Sequence, residues 1–264
     1  VYYYDKATNS SLEWRFPNKT DEERVELLCQ ANKLDREMFM SPEEMKKIID
    51  LGPEQNKFLR IMERDNGQKA FLRMFHDNRK HPDEAEISAA LKRFTSPAPK
   101  VAFSAGYGSR EIDNYGGRGY YLFAQDKWFR QALMNNGFDT RTIDLDKESL
   151  DGSVDVLVIS DLRDSLSGVA MAKVQDYIAK GGNLFILGEY GRSENMNKVT
   201  SSLGVKFSDG VLVNENEYTS PTVAVGFFTE EAAQKYPTYG KLKKYDYVVG
   251  LPTSVALDYS EARE

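Results

Sequence analysis

One cysteine, Cys29, in 264 residues excludes an internal disulfide and any zinc site built from cysteines. Histidine is almost as scarce. His76 and His81 both lie in the first third, so no histidine base or ligand exists beyond position 81. No stretch approaches the roughly 20 apolar residues of a membrane-spanning helix, and no signal-peptide pattern opens the chain at Val1. A start at Val1 rather than Met reads as a piece of a longer protein with flanking segments outside it. A basic stripe is also missing: the formal charge of −6 argues against a nucleic-acid binder, and no polybasic cluster stands out to draw the surface onto anionic lipid. Neither the phosphate-loop pattern G-x-x-x-x-G-K-[ST] nor the serine elbow G-x-S-x-G occurs. Internal repeats and low-complexity tracts are absent.

What remains is an ordinary globular balance, 41% apolar and 29% charged, long enough for one large domain or two modest ones. "TSPAPK", residues 95–100, marks a boundary where two prolines separate charge-rich sequence from the first apolar strand. Residues 1–96 read as a small α+β module. Residues 20–34 form a helix, and "SPEEMKKIID" starts another with Ser41 as N-cap, Pro42 at N1 and Glu44 closing a capping box. Asn66-Gly67 between two alternating runs predicts a hairpin with a type I′ turn. "HPDEAEISAALKRF" predicts a helix with Ile87, Ala90, Leu91 and Phe94 on one face.

Residues 100–264 change to alternating strands and helices. "VAFSA", "TRTIDL", "VDVLVIS" and "NLFILGE" are strands, the third a nearly continuous apolar run of the kind buried on both faces. Residues 121–135 show helical spacing through Tyr121, Ala124, Trp128 and Ala132. "SGVAMAKVQDYIAKGG" is a helix with Met171, Val174, Tyr177 and Ile178 inward, and residues 194–203 form another. This alternation implies a doubly wound, flavodoxin-like parallel sheet with helices on both faces. Past Val205, "VKFSDGVLV" reads as a hairpin, "TVAVGFF" as a strand, and "YPTYGKLKKYDYVVGLP" as turn-rich and aromatic. Whether the residues past Val213 complete the domain stays open.

Strand and glycine loop meet in "KVAFSAGYGSREIDNYGGRG". A dinucleotide fingerprint needs G-x-G-x-x-G running directly into a helix. Gly106 and Gly108 fit, but the third position is Glu111 and some ten residues separate it from the next helix. A tight turn, or a cradle for a ligand other than a nucleotide, suits these residues better.

"KVAFSAGYGSREI", "FRQALMNNGFDTRTIDL", the long stretch "VDVLVISDLRDSLSGVAMAKVQDYIAKGGNLFILGE" and "LGVKFSDGVLV" resemble the extracytoplasmic domains of GldG-like components of bacterial ABC-type transport systems, which share the class I glutamine amidotransferase-like fold. The resemblance covers residues 100–213, with a weaker match through "FLRMFHD" and "EISAALKRF". The family's Gly-His-Gly-Glu segment departs here: Tyr107 stands at the histidine, and Ser109 and Arg110 precede Glu111. No chemistry of that histidine transfers. The resemblance implies a non-catalytic, periplasmic binding domain tethered to the inner membrane by segments outside this sequence. It would work beside ABC permease and ATPase subunits and dock a partner protein or an envelope ligand. The alternative it leaves open is a carbohydrate-binding or carbohydrate-processing domain of the amidotransferase-like fold.

Related amidotransferases use a cysteine–histidine–acid triad. Cysteine and histidine are both missing from residues 100–264, which excludes that chemistry, and Ser104 and Ser160 have no histidine base. Carboxylates remain. The carboxyl edge of the sheet gathers Tyr107, Asp144, Asp161, Glu189 and Tyr190, where ligands sit in open α/β sheets. Asp161 and Glu189 could do acid/base work or hold a hard cation, but capping helices and bonding loop amides suits them better, with Arg163 and Arg192 near enough to neutralise them. The binding surface expected here comprises Gly106, Tyr107, Gly108, Arg110, Glu111, Tyr121, Asp161, Glu189, Tyr190 and Arg192, with no catalytic residue, metal or cofactor. His76, Asp77 and His81 read as solvated loop residues rather than metal ligands, and Cys29 as a small buried side chain. Fifteen tyrosines, clustered at 115–121 and 236–247, suit interfaces, sugar stacking or burial under loops.

Overall fold

A computed structural model describes residues 2–3, 12–55, 57–79, 81–215 and 220–259. The chain divides into two compact units, Val1–Phe94 and Thr95–Glu264.

In the first unit, helix α1 (Asp21–Asn32) starts on a capping box in which Thr20 and Glu23 satisfy each other's backbone amides, at 3.2 and 2.9 Å. It buries Val25 and Cys29. Helix α2 (Pro42–Ile48) is capped by Ser41 and Glu44 as its sequence requires. Strands β1 (Leu59–Glu63) and β2 (Lys69–Arg73) form the expected antiparallel hairpin. The turn, however, is not type I′. Gly67 N donates to Arg64 O at 2.8 Å, and of the turn residues only Gly67 has positive φ, +83°. This is a three-residue loop with glycine at the bulge, so Asn66 need not adopt the left-handed region.

Helix α3 (Glu84–Arg93) packs on β2 through Ala70, Leu72 and Ala90, with Met62 and Phe94 at the margin. Ile87 and Leu91, on the same apolar face, are exposed. Small Ala90 carries the contact, and the turn beside it buries Glu86, whose carboxylate is committed to the Asp83 amide in the capping box. Arg73 and Glu54 form a buried, two-bond pair at 2.7 and 3.0 Å.

The second unit is built on β3 (Lys100–Ser104), β4 (Asp139–Ile143), β5 (Val156–Ser160) and β6 (Asn183–Leu187). They form one parallel sheet in the order β4-β3-β5-β6, a flavodoxin-like arrangement. Register aligns Val101 with both Thr140 and Val156, and Leu157 with Leu184. Because side chains alternate, β3 and β5 feed two cores. Ala102, Leu157 and Ile159 face α4 (Gly168–Ala179) and α5 (Ser193–Thr200) through Val174, Tyr177, Met196 and Val199. Val101, Phe103 and Val158 face Ile112, Ala124 and Leu133 on the other side.

That second face is not covered by the long helix expected over 121–135. Helix is confined to Tyr121–Ala124 and a short 3-10 turn at Leu133–Asn136. The cause is local. Gln125 N and Asp126 N both converge on Tyr121 O, and the Asp126 carboxylate accepts the Trp128 amide at 2.7 Å, so the chain turns away from the helical path. Asn135 then ties back to the carbonyls of Asp126 and Phe129.

The tail differs from expectation too. Residues 205–213 make no hairpin. Instead β7 (Lys206–Phe207) pairs antiparallel with the distant β10 (Leu257–Asp258), while Asn197 holds both backbone groups of Phe207. Strand β8 (Val223–Gly226) pairs with β9 (Val249–Pro252). Helix α6 (Glu230–Lys235), capped by Thr229, precedes the stretch read as turn-rich, which holds α7 (Pro237–Lys244), started by Pro237 at N1, and ends in β9. Among the described residues, no helix is long and apolar enough to cross a membrane.

Candidate functional site

The carboxyl ends of β3, β5 and β6 meet the loop that follows β3. Gly106, Tyr107 and Gly108 all have positive φ (+77°, +56° and +62°). Glycine tolerates this; for tyrosine it is a strained conformation that surrounding bonds must hold. They do. Tyr107 O accepts from Arg163 N and Asp164 N at 2.8 and 3.1 Å, and Ser109 Oγ donates to Ser104 O and Gly106 O. A Cβ on Gly108 would stand 2.7 Å from Arg163 Cβ. The loop is a tight turn pressed against its neighbour.

Tyr107 donates its hydroxyl proton to Asp146, and that oxygen also accepts from Ser167 N at 3.3 Å. Ser167, the N-cap of α4, donates its own hydroxyl to Asp146. These bonds, Ser167's first, hold the Asp146 carboxyl below its ordinary range. Tyr107 and Asp144 follow strand ends as Asp161 and Glu189 do, but bond to other partners. Tyr107 is spent on Asp146 and Ser167, and Asp144 pairs with Lys147 at 2.8 Å.

A second network carries the site. Arg110 donates Nε to Asp161, Nη1 to Gly117 O at 2.9 Å and Nη2 to Glu189 at 3.2 Å, while Arg118 donates Nη1 to the other Glu189 oxygen. Asp161 is only 3% exposed and has φ +47° just past the end of β5. Burial acts to raise the Glu189 pKa, but the Arg118 bond and the charges of Arg118, Arg110 and Arg192 outweigh it and hold the group below the usual glutamate value. Arg110 lies 5.6 Å from the centre of the Tyr120 ring. Burial, reinforced by the charge of Asp161, pushes the Tyr120 hydroxyl up to about 12.

Arg163 was expected to neutralise these carboxylates. Arg110 and Arg118 do so instead, and Arg163 lies across Gly108. Arg192 acts on Glu189 through its charge, and its buried Nε has no partner among the described residues. Glu111 points its carboxylate to no residue of the network, is exposed, and contributes its carbonyl to Tyr120 N at 2.9 Å. Tyr190 is exposed. Tyr121 stacks on Tyr115 with ring centres 3.7 Å apart, leaving Tyr115 76% exposed at the rim. Burial and the bond with Tyr115 raise the Tyr121 pKa.

Arg118, Asp146 and Ser167 were missed by sequence reasoning. Arg118 sits in "GGRG", where no periodicity marks a residue's direction. Ser167 had a legible signal, a serine ahead of an apolar helical run. Chemically, the network is a pair of carboxylates held by arginine donors. A general acid at neutral pH needs a raised carboxyl pKa, the reverse of Glu189. Among the described residues, no group of three His, Cys, Asp or Glu side chains is placed to hold one metal ion. In the first unit, His76 Nε2 lies 3.4 Å from Lys57 Nζ, and Asp77 accepts from Arg79 N.

Residues 98–245, from the start of the sheet through both tail helices, match the family described as an ABC-type uncharacterized transport system. The chain belongs to that family. The match contains every residue of the arginine–carboxylate network, so the network lies in the family's own domain and outside the first unit. No curated protein matches the chain. A solved structure titled "mmIFT52 N-terminal domain" is similar at 13% identity and a TM-score of 0.45, covering 61% of this chain and 68% of that one.

Proposed function

We propose that this chain is a non-catalytic, GldG-like binding domain of an ABC-type transporter. It docks a partner protein or an envelope ligand at the carboxyl edge of its parallel sheet, on the periplasmic side. Transporter permease and ATPase subunits are its assembly partners, and membrane tethering falls to flanking segments. The observation that carries the reading is the double use of Glu189 by Arg110 and Arg118. Two long basic side chains cross from the loop to the ends of β5 and β6 and occupy the carboxylates that acid–base chemistry would need free. What faces outward on the same loop is the exposed Tyr115, with Arg118 partly exposed near it in sequence. Arginine and tyrosine are the residues that concentrate at protein-binding surfaces.

The exposed Tyr115–Tyr121 stack also suits a sugar ring, which keeps the carbohydrate-binding alternative in view. One experiment separates them. A photoreactive phenylalanine analogue at Tyr115, incorporated in the cell, should crosslink to a transporter or envelope protein. Failure to crosslink, with calorimetric binding of a sugar that Glu189→Ala abolishes, would favour the alternative. Turnover of any sugar by the purified chain would overturn the non-catalytic reading.

A further inference from the structure

Residues 220–252 form a small layer of two strands and two helices that buries none of its side chains. Neither α6 nor α7 contains a buried residue, and all four positions of β9 are exposed. Its outer surface is aromatic. Phe227 is 77% and Tyr245 68% exposed, and Tyr236, Tyr239 and Tyr247 are exposed with them. They are held in place. Tyr239 packs between Phe228 and Tyr236, with ring centres 5.3 and 5.4 Å away, and the backbone amides of Tyr245 and Tyr247 both bond to Leu242 O. Val249 pairs with Gly226, which brings Val248 and Val249 beside Phe227.

Lysines are threaded through the same surface. Between residues 220 and 252 the chain carries Lys235, Lys241, Lys243 and Lys244 against Glu230, Glu231 and Asp246. Lys235 lies over Tyr236 and Lys244 over Tyr245, at 5.7 and 5.9 Å from the ring centres. The neighbouring helix α6 brings Glu230 and Glu231, and Glu230 is taken up by Lys243 at 3.5 Å. Along the sequence these lysines do not stand out as a polybasic run, because tyrosine, proline and glycine separate them. In the fold Lys241, Lys243 and Lys244 share the last turn of α7, and Lys235 closes α6.

We infer that this surface lies against an anionic lipid headgroup layer. Composition decides between a lipid and a protein occupant. Lysine is depleted at protein–protein interfaces, whereas tyrosine flanked by lysine is the pattern of the membrane–water boundary. There the ring sits at headgroup level and the lysine stem extends to a phosphate. Charge complementarity points the same way. In a chain of formal charge −6, this layer has four lysines against three carboxylates, so an anionic surface repels the rest of the molecule and favours approach by this layer. The inference does not depend on the arginine–carboxylate network.

The test is co-sedimentation of the purified chain with vesicles of pure phosphatidylcholine and of phosphatidylcholine mixed with phosphatidylserine, at low and high salt. Binding is expected to the mixed vesicles, falling with salt. It should weaken about tenfold or more in the Lys241→Gln/Lys244→Gln variant, and also in Tyr245→Ser/Tyr247→Ser. Arg118→Gln, which alters the proposed docking edge, should bind vesicles as the unaltered chain does. Unchanged circular dichroism melting in the lysine variant keeps its result independent of folding. Equal binding to both vesicle types, indifference to the lysine substitutions, or a loss with Arg118→Gln would each overturn the inference. So would absence of vesicle binding together with a dimer that the tyrosine substitutions dissociate, which would assign the surface to a second copy of the chain.

Discussion

Arg110 and Arg118 hold opposite oxygens of Glu189, and Arg110 alone continues inward to Asp161. The loop after β3 is thereby fastened to the ends of two other strands by side chains eight residues apart in sequence. Asp161 depends on this bond more than Glu189 does, because it is the more deeply buried carboxylate.

Removing Arg110 strands Asp161. Arg110→Ala is expected to destabilise the second unit by about 3–5 kcal/mol, the cost of an uncompensated buried charge. Arg110→Met combined with Asp161→Asn should recover most of that loss. A double-mutant cycle by urea unfolding measures it, and a coupling near zero would show that the pair does not act as a unit.

Gly108→Ala should cost about 1–3 kcal/mol, because alanine at φ +62° is strained and its Cβ would strike Arg163. Gly117→Ala in the same loop meets nothing within 4 Å and should stay within about 0.5 kcal/mol of the unaltered chain. Thermal melts of the two variants side by side test whether the turn is as tight as described.

Tyr107→Phe keeps the ring and deletes the bond to Asp146. The expected outcomes are a melting temperature lower by about 2–4 °C and an Asp146 pKa that moves back toward its ordinary value, read by carboxyl NMR titration. Tyr107→His should not create activity toward sugars or amides.

Stability should depend on acid through Glu189. Its folded pKa is depressed, so its contribution is fully present above the unfolded glutamate pKa, whose reference value is 4.5, and is lost as pH falls through the folded value. Unfolding free energy is therefore expected to be level near neutrality and to drop on acidification below that point. Glu189→Gln should flatten part of this slope, and an unchanged slope would place the acid dependence elsewhere.

Local signals carried far in this sequence. Each capping box, Thr20 with Glu23 and Ser41 with Glu44, is written within four residues, and the apolar runs of β3 and β5 announce strands buried on both faces. Failures came where a short-range pattern met a competing bond. Tyr121, Ala124, Trp128 and Ala132 have helical spacing, yet the Asp126 side chain captures the Trp128 amide and ends the helix. Residues 206–207 find their strand partner fifty residues later, a pairing no local window contains. Asp161 and Glu189 were legible because strand ends define the ligand-facing edge of such sheets. Arg118 was not, since its direction comes from a glycine loop whose path only the fold determines.

Cys29 turns from an absence into a reporter. It supplies the chain's sole thiol, and that thiol is sealed beside Val25 on α1. A reagent that reacts only with accessible sulfur will therefore modify the native chain at the frequency with which the smaller unit opens. The larger unit has no sulfhydryl to contribute, so its openings leave no trace in the kinetics.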